Sequence, residues 1–365
     1  MLIDRRLFLN FDFFLLITVL LLCGLGCINL KSICSFASVS SQDYFLKQIQ
    51  WVCFGFFILI IIISINYVKI LKSSYFFHFI SLLLLLFVCF FGTSKYGSQR
   101  WMNLAGFNLQ PSEIAKLTFI LILSRFFSEN LNQKTLTLKD LLVPFVILFV
   151  TIVPIYIQPD LGTAGMVIII FFSLAAFIRI HKKTIFVFLC FVLICFPCLW
   201  FILKDYQKER IRFFINPELD PLNSGYQLIQ SKIAVGSGGL LGKGFMMGTQ
   251  SHLRFLPEQH TDFVFSVWAE EWGFAGCFFL LLIVFVIIYR GFRIAYACKN
   301  HYGKYLAIGI TVYISWQVII NIFMTLGLFP VVGVPFPFFS YGGSAMITNF
   351  IGIGLLLNIG MRKFK

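Results

Sequence analysis

Charge is scarce in this sequence. Of its 365 residues only 12% are Asp, Glu, Lys or Arg, against 59% hydrophobic, and the mean hydropathy is +0.91. That is too little polar surface to cover a soluble globule of this length, so the chain reads as an integral membrane protein. Histidine is rarer still, at five residues. They are scattered, no Cys/His cluster has zinc-ligand spacing, and a zinc signature is therefore missing. A soluble domain, a low-complexity tail and a clear internal repeat are missing too, which leaves one bundle with one elaborated loop. No small-residue cleavage site follows the first apolar run, although Arg5 and Arg6 precede it; Lys31 and Cys34 continue the chain, so the run reads as a retained helix. The ten cysteines fall nearly all within apolar runs, where cysteine behaves as a small hydrophobe. Cys195-Phe-Pro-Cys198 has redox-motif spacing but lies inside such a run, which favours packing.

What the chain has in quantity is apolar length. A hydrocarbon core of roughly 30 Å takes about 20 apolar residues per helical span. About ten stretches qualify, near 12–30, 48–67, 75–92, 112–128, 140–157, 163–180, 184–203, 263–289, 305–329 and 342–360. The expected fold is an all-α polytopic membrane protein, a single transmembrane domain over 1–365, with 47 Phe residues as lipid-facing and packing bulk. Lys and Arg are retained on the cytoplasmic side of short connections. Arg5, Arg6, Lys69, Lys72, Lys182, Lys183, Arg290, Arg293 and Lys363 share one side, while Lys31, Lys47, Lys95 and Arg100 are the short connections' basic residues on the other. Both termini are thus expected inside, and the large 204–262 loop between helices 7 and 8 outside. The net charge of +14 then reflects topology, which argues against nucleic acid as a partner.

Polar residues inside four of the spans recur at helical spacing, so each set shares a face. Ser112, Glu113 and Lys116 cluster in the fourth; Asp262, Ser266, Glu270 and Gly273 share a side of the eighth; Gln317, Asn321 and Thr325 follow Tyr313 in the ninth; Ser344 and Thr348 pair in the tenth. Ionisable groups at membrane depth are expensive and face one another or water, so the four stripes together predict a polar cavity. Glu270 and Glu271 are expected about 12 Å along the helix from Asp262, at roughly 1.5 Å per residue, and below the surface.

The long loop has structure of its own. A helix is expected from Ser224, a plausible N-cap, with Tyr226, Ile229 and Ile233 on an apolar face suited to the membrane interface. It stops at Gly236-Ser-Gly-Gly239, and glycines at 242, 244 and 248 let the backbone turn or approach a ligand closely. The glycine spacing fits neither a P-loop nor a dinucleotide turn. Pro330, Pro335 and Pro337 forbid a regular helix over 330–343 and point to an extended stretch. At the loop's end, Asp262 has two readings: a first-turn carboxylate that suits the helix dipole, or a general base. Basic residues on outer connections (Arg100, Lys116, Arg210, Arg212, Lys232, Lys243 and Arg254) could hold an anionic headgroup beside it.

The motifs are Arg100-Trp101; Gln110-Pro-Ser-Glu113 with Lys116; Gln158-Pro-Asp-Leu-Gly-Thr-Ala164; Gly225-Tyr-Gln227 with Gln230-Ser-Lys-Ile-Ala234; Phe255-Leu-Pro-Glu-Gln-His-Thr-Asp-Phe263; and Pro335-Phe-Pro337 with Ser340-Tyr-Gly-Gly-Ser344. In this order they resemble the signatures of the SEDS family (shape, elongation, division and sporulation) over nearly the whole chain, and the elongation branch more than the division branch. The resemblance implies an inverting peptidoglycan glycosyltransferase of the bacterial cytoplasmic membrane that polymerises lipid II for cell-wall elongation and rod shape. It implies as partners undecaprenyl-pyrophosphate-linked glycan, a class B penicillin-binding protein transpeptidase and other membrane proteins of the elongation complex. The family's essential acid falls on Asp262, and its Trp and Arg pair on Trp101 and Arg100. Its charged pair falls on Glu113 and Lys116; Lys232, Arg254 and Ser340 complete the candidate substrate-binding set. A divalent cation, Mg or Mn, is a candidate cofactor, and no organic cofactor is implied. A lipid II flippase and a scaffold for the transpeptidase are the rival readings. Trp272 departs from the family, which usually has Leu there.

Overall fold

The computed structural model describes residues 10–35, 39–95, 98–104, 107–130, 136–178, 181, 184, 205–220, 224–253, 255–256 and 258–362. The expected seventh span, near 184–203, lies almost wholly outside them. Six described helices are long and apolar enough to cross a membrane: α1 (Phe13–Ser35), α2 (Val39–Ser64), α4 (Ser74–Phe91), α11 (Val264–Ala297), α12 (His301–Thr325) and α13 (Gly343–Met361). Helices α6 (Leu142–Ile157) and α7 (Leu161–Ala176) are apolar but shorter. A short α3 (Tyr67–Lys72) links α2 and α4.

Helix α5 (Pro111–Asn130) coincides with the fourth expected span and has the length of one, yet it is much less apolar than its neighbours. The reason is position: all but Ile114 and Arg125 of residues 111–128 are buried, and α4, α6, α7, α12 and α13 pack around it. A helix surrounded by protein needs no lipid-facing surface, so Ser, Thr, Glu and Lys are tolerated along it.

The 93–109 connection between α4 and α5 forms a small antiparallel sheet that periodicity does not announce. Its strands are β1 (Thr93–Lys95), β2 (Ser98–Leu104) and β3 (Phe107–Leu109), with Thr93 opposite Trp101 and Met102 opposite Leu109. The long loop contributes α8 (Asp205–Ile215), a 3₁₀ turn over Pro217–Leu219, α9 (Ser224–Ser237) and α10 (Thr249–His252). Helix α9 begins at Ser224 as expected, but another face is packed: Leu228, Ser231 and Ala234 are buried while Ile233 is exposed, because α9 lies on α11 and α12.

Helix α11 is broken at Gly273, whose φ of 63° and ψ of −162° are closed to other residues without strain. The glycine-rich stretch after α9 is spliced into the break. Lys243 N and Gly244 N donate to the carbonyls of Glu270 and Glu271 (both 3.0 Å), while Phe274 N and Ala275 N donate to Gly239 O (2.9 Å) and Leu240 O (3.0 Å). Four backbone groups at the break thereby find partners, as membrane-embedded backbone requires. The fit is backbone to backbone: a Cβ on Gly238 would come within 2.0 Å of Ala269 O, one on Gly242 within 2.1 Å of Glu271 O, and one on Gly273 within 2.3 Å of Gly242 N. The close approach that these glycines permit is to a helix rather than to a ligand.

Two polar rungs tie α1 to α11. Arg290 Nε donates to Asp12 Oδ2 at 2.9 Å, and Ser32 Oγ donates to Glu271 Oε1. Asp12 and Ser32 are about twenty residues apart, roughly 30 Å at about 1.5 Å per residue, the thickness of a hydrocarbon core. Asn29 Nδ2, one turn further inside α1, donates to Val264 O at 3.0 Å. The start of α11 is therefore level with Glu271 or deeper. The expectation that Glu270 and Glu271 lie below Asp262 assumed one straight helix, and the Gly273 break overturns it.

Candidate active site

Asp262 closes a tight turn in which the N–H groups of Thr261, Asp262 and Phe263 all point at Glu258 O, at 3.3, 3.2 and 3.2 Å. Two other elements clamp that turn. From α12, Asn321 Nδ2 donates to Asp262 O (3.0 Å) and to Val334 O (2.8 Å). From the proline-rich stretch over 330–342, Ser340 Oγ donates to Thr261 O (2.6 Å) while accepting from Phe336 N (2.9 Å), and Tyr341 N donates to His260 O (2.9 Å). Gly333, at φ +70°, brings this strap against the carboxylate, and a Cβ there would lie 3.4 Å from Asp262 Oδ2.

Burial in this wall pushes the Asp262 carboxyl up to about 7, with the neighbouring Glu258 charge adding to the rise. The positive charges of Arg100 and Arg210 and a hydrogen bond from Thr261 pull the other way and do not win. A carboxyl near neutrality is half ionised at working pH and strong as a base once ionised. His260, lowered chiefly by burial, stacks on Tyr44 at 4.8 Å between ring centroids and lies 6.1 Å from Tyr341.

Arg100, on β2, turns toward the α6–α7 corner. Its Nε donates to Gln158 O at 3.4 Å, one terminal nitrogen donates to Pro159 O, and the other stands 3.6 Å from Asp160 Oδ1. Asp160 is fixed in turn, capping α7 through Thr163 N (3.2 Å) and Thr163 Oγ1 (2.8 Å). The next turn touches the Asp262 strap, since a Cβ on Gly162 would meet Val332 O at 2.3 Å. Arg100 is thus held on a rigid platform beside the strap with a fifth of its side chain exposed. Trp101 follows on β2, half-buried, its carbonyl accepting from Thr93 Oγ1 at 3.1 Å.

The other candidates lie apart. Glu113 and Lys116 form a buried pair at 2.7 Å, with Tyr313 OH 3.4 Å from Glu113 Oε2, Gln317 Nε2 2.8 Å from Tyr313 OH and the Lys116 ammonium 5.4 Å from the Tyr313 ring centre. Lys232 is exposed on α9, its stem crossing Gly327, where a Cβ would meet Cε at 2.0 Å. Arg254 lies outside the described residues. Much of the polar side-chain array expected to line a cavity instead bonds internally: Ser231 Oγ to Ser266 Oγ and to Thr325 O (both 2.7 Å), and Gln110 N to Ser344 Oγ (2.9 Å). Among the described residues six side-chain atoms of α5, α12 and α13 stay buried without a partner: Ser112 Oγ, Ser124 Oγ, Gln317 Oε1, Asn321 Oδ1, and Asn349 Oδ1 and Nδ2. Sequence reasoning missed the Glu258 effect, the Tyr44–His260 stack and the Asn321 clamp. The one readable signal was Glu258, four residues before Asp262 in the same motif.

The family model for the FtsW, RodA and SpoVE cell cycle proteins matches residues 13–365. The chain belongs to this family. A relative within it is the peptidoglycan glycosyltransferase MrdB of Escherichia coli K12, 38% identical over 325 residues, covering 88% of this chain and 87% of the relative. Two solved structures share the architecture. One is a chain of a peptidoglycan synthase complex that coordinates polymerization and crosslinking (TM-score 0.83, 27% identity, 97% of this chain and 99% of that one). The other is the rod shape determining protein RodA of Thermus thermophilus (TM-score 0.73, 26% identity, 97% and 98%). The motifs quoted above and the FtsW/RodA/SpoVE match therefore agree along the chain.

Proposed function

We propose that this protein is a peptidoglycan glycosyltransferase that polymerises lipid II, with Asp262 as general base. The reading is carried by one observation: a half-buried carboxyl raised toward neutrality stands between the Arg100 platform and the 330–342 strap. Asp262 takes the proton of the GlcNAc 4-hydroxyl of an incoming lipid II. The oxygen attacks the anomeric carbon of the lipid-linked strand, the bond to pyrophosphate breaks with inversion, and undecaprenyl pyrophosphate leaves. Arg100 and Arg210, whose charges act on Asp262, stabilise that anion, Lys232 and Arg254 guide it from the loop, and Trp101, next to Arg100 on β2, contacts the sugar. Ser340 acts on the Thr261 backbone, and Glu113–Lys116 supports the bundle beneath.

The depth of the site fits a lipid-linked leaving group. Val264 bonds to α1 one turn inside the Ser32–Glu271 rung, which brings Asp262 to the edge of the hydrocarbon layer, where a polyprenyl pyrophosphate keeps its phosphates. Among the described residues no group of three or more His, Cys, Asp or Glu could hold a metal ion. A Mg or Mn ion shared with phosphate oxygens needs only one or two carboxylates, and Glu258 beside Asp262 suits it. When bound, the cation would neutralise charge on the pyrophosphate. The Lys and Arg distribution supports a bacterial cytoplasmic membrane location with both termini inside and Asp262 on the outer face. Likeness to a chain of a synthase complex supports a class B penicillin-binding protein as the crosslinking partner and other elongation proteins around it.

The test is polymerisation of lipid II by purified protein in detergent. Wild type is expected to make glycan polymer, and Asp262→Ala to lose at least about 10²-fold of that rate, the usual contribution of a general base. Wild-type polymerisation by Asp262→Ala would remove the proposed base. Lipid II crossing liposomes without polymer would favour a transporter.

A further inference from the structure

The spliced loop carries an apolar surface that the glycosyl-transfer chemistry leaves unused. Leu240 and Leu241 are 76% and 84% exposed, Met247 66% and Phe245 40%. They are not on a free-swinging loop, because the carbonyls of Gly239 and Leu240 are bonded to Phe274 N and Ala275 N of α11. Phe274, itself 66% exposed, opens the lipid-facing flank of that helix, so the leucines and the flank form one continuous apolar face. Its level is fixed by the neighbouring rung from Ser32 to Glu271, about one hydrocarbon thickness from the Asp12–Arg290 rung.

Charge is arranged to suit that position. The only ionisable residue of 236–248 is Lys243, and its ammonium turns inward to Glu270 Oε1 (2.6 Å) and Thr249 Oγ1 (2.9 Å). The outward face thus carries no charge to be taken out of water, and exposed leucines at this depth gain from meeting hydrocarbon.

We propose that the segment 239–247 is a membrane-seated wedge, with Leu240 and Leu241 lying among phospholipid acyl chains of the leaflet on the Asp262 side. It gives the reaction centre a fixed height, because the same splice sets the register of α11, whose first turn follows Asp262. A partner's transmembrane helix and a polyprenyl chain are the rival apolar occupants of the same face. The continuity with lipid-facing α11 and the inward-turned Lys243 favour bulk acyl chains.

The full chain with a diazirine amino acid in place of Leu241, reconstituted in phosphatidylethanolamine and phosphatidylglycerol vesicles and irradiated, tests this. Substitution at so exposed a side chain leaves the packing untouched. Adducts on phospholipid acyl chains are expected at least fivefold above those from the same probe at Lys299, an exposed polar position at the opposite end. Capture of water alone, or of headgroups alone, overturns the wedge. So does the loss of phospholipid adducts in favour of protein or polyprenyl adducts when transpeptidase or lipid II is added.

Discussion

Asp262 and Glu270 stand on one short stretch of chain and have opposite surroundings. Glu270 is fully buried and saturated: its Oε1 accepts from Lys243 Nζ (2.6 Å), Thr249 N (2.8 Å), Thr249 Oγ1 (2.9 Å) and Gln250 N (3.2 Å). Asp262 has a hydrogen bond from Thr261, a like charge in Glu258, and two arginines acting only through space. A carboxylate surrounded by donors serves as an anchor, here tying α10 and the glycine loop to α11. One with few donors among the described residues keeps a labile proton and lone pairs open to it, which is what proton abstraction needs.

Breaking the anchor should give the largest effect on folding. Glu270→Ala leaves Lys243 and the start of α10 without their acceptor, and about 3 kcal/mol of stability should be lost, as when one partner of a buried ion pair is removed. Thermal unfolding in detergent would register it, and an unchanged midpoint would mean that Glu270 is no anchor. Next comes pH. If Asp262 is the base it acts ionised, and with its carboxyl pushed up to about 7 by burial the polymerisation rate should rise about tenfold per pH unit below 7 and level off above it. A rate flat from pH 5 to 8 would place the base among ordinary carboxylates. The same shift acts on stability with the opposite sign. Between the ordinary carboxylate value and about 7, the unfolded chain has released a proton that the folded chain retains, so stability falls as pH rises through that window. Asp262→Asn should therefore gain thermal stability over wild type above pH 7 while losing activity. Ser340→Ala should have the smallest effect, since it removes only neutral hydrogen bonds, one to the Thr261 carbonyl and one from Phe336 N. About 1 kcal/mol corresponds to roughly a fivefold fall in kcat, with KM unchanged if Ser340 positions the turn rather than touching substrate.

Apolar length was enough to locate nearly every described membrane helix, because a hydrocarbon layer imposes the same demand on each. The motif ending at Asp262 singled it out as a candidate for a related reason, being a carboxylate at the edge of an apolar run. Ser224 likewise marked the start of α9. The rest depended on pairings distant in sequence. Nothing near Arg100 says that it will turn to Pro159 and Asp160, and nothing near Glu270 names Thr249 as its donor. Gly238 and Gly242 read as loop glycines until the backbone of Ala269–Gly273 is seen against them. The four polar stripes were legible as faces, but whether a face meets water or another face is decided by packing.

Surface loops are where chains ordinarily gain and lose residues over evolutionary time. The stretch from Gly238 to Gly244 is an exception. Each of its four backbone bonds to α11 is matched to a particular residue of Glu270–Ala275, so one inserted residue would carry several donors off their acceptors at once. Length variation in this loop belongs before Gly238 or between Gln250 and Gln259, and a family-wide inventory of insertions should show a gap between those two zones.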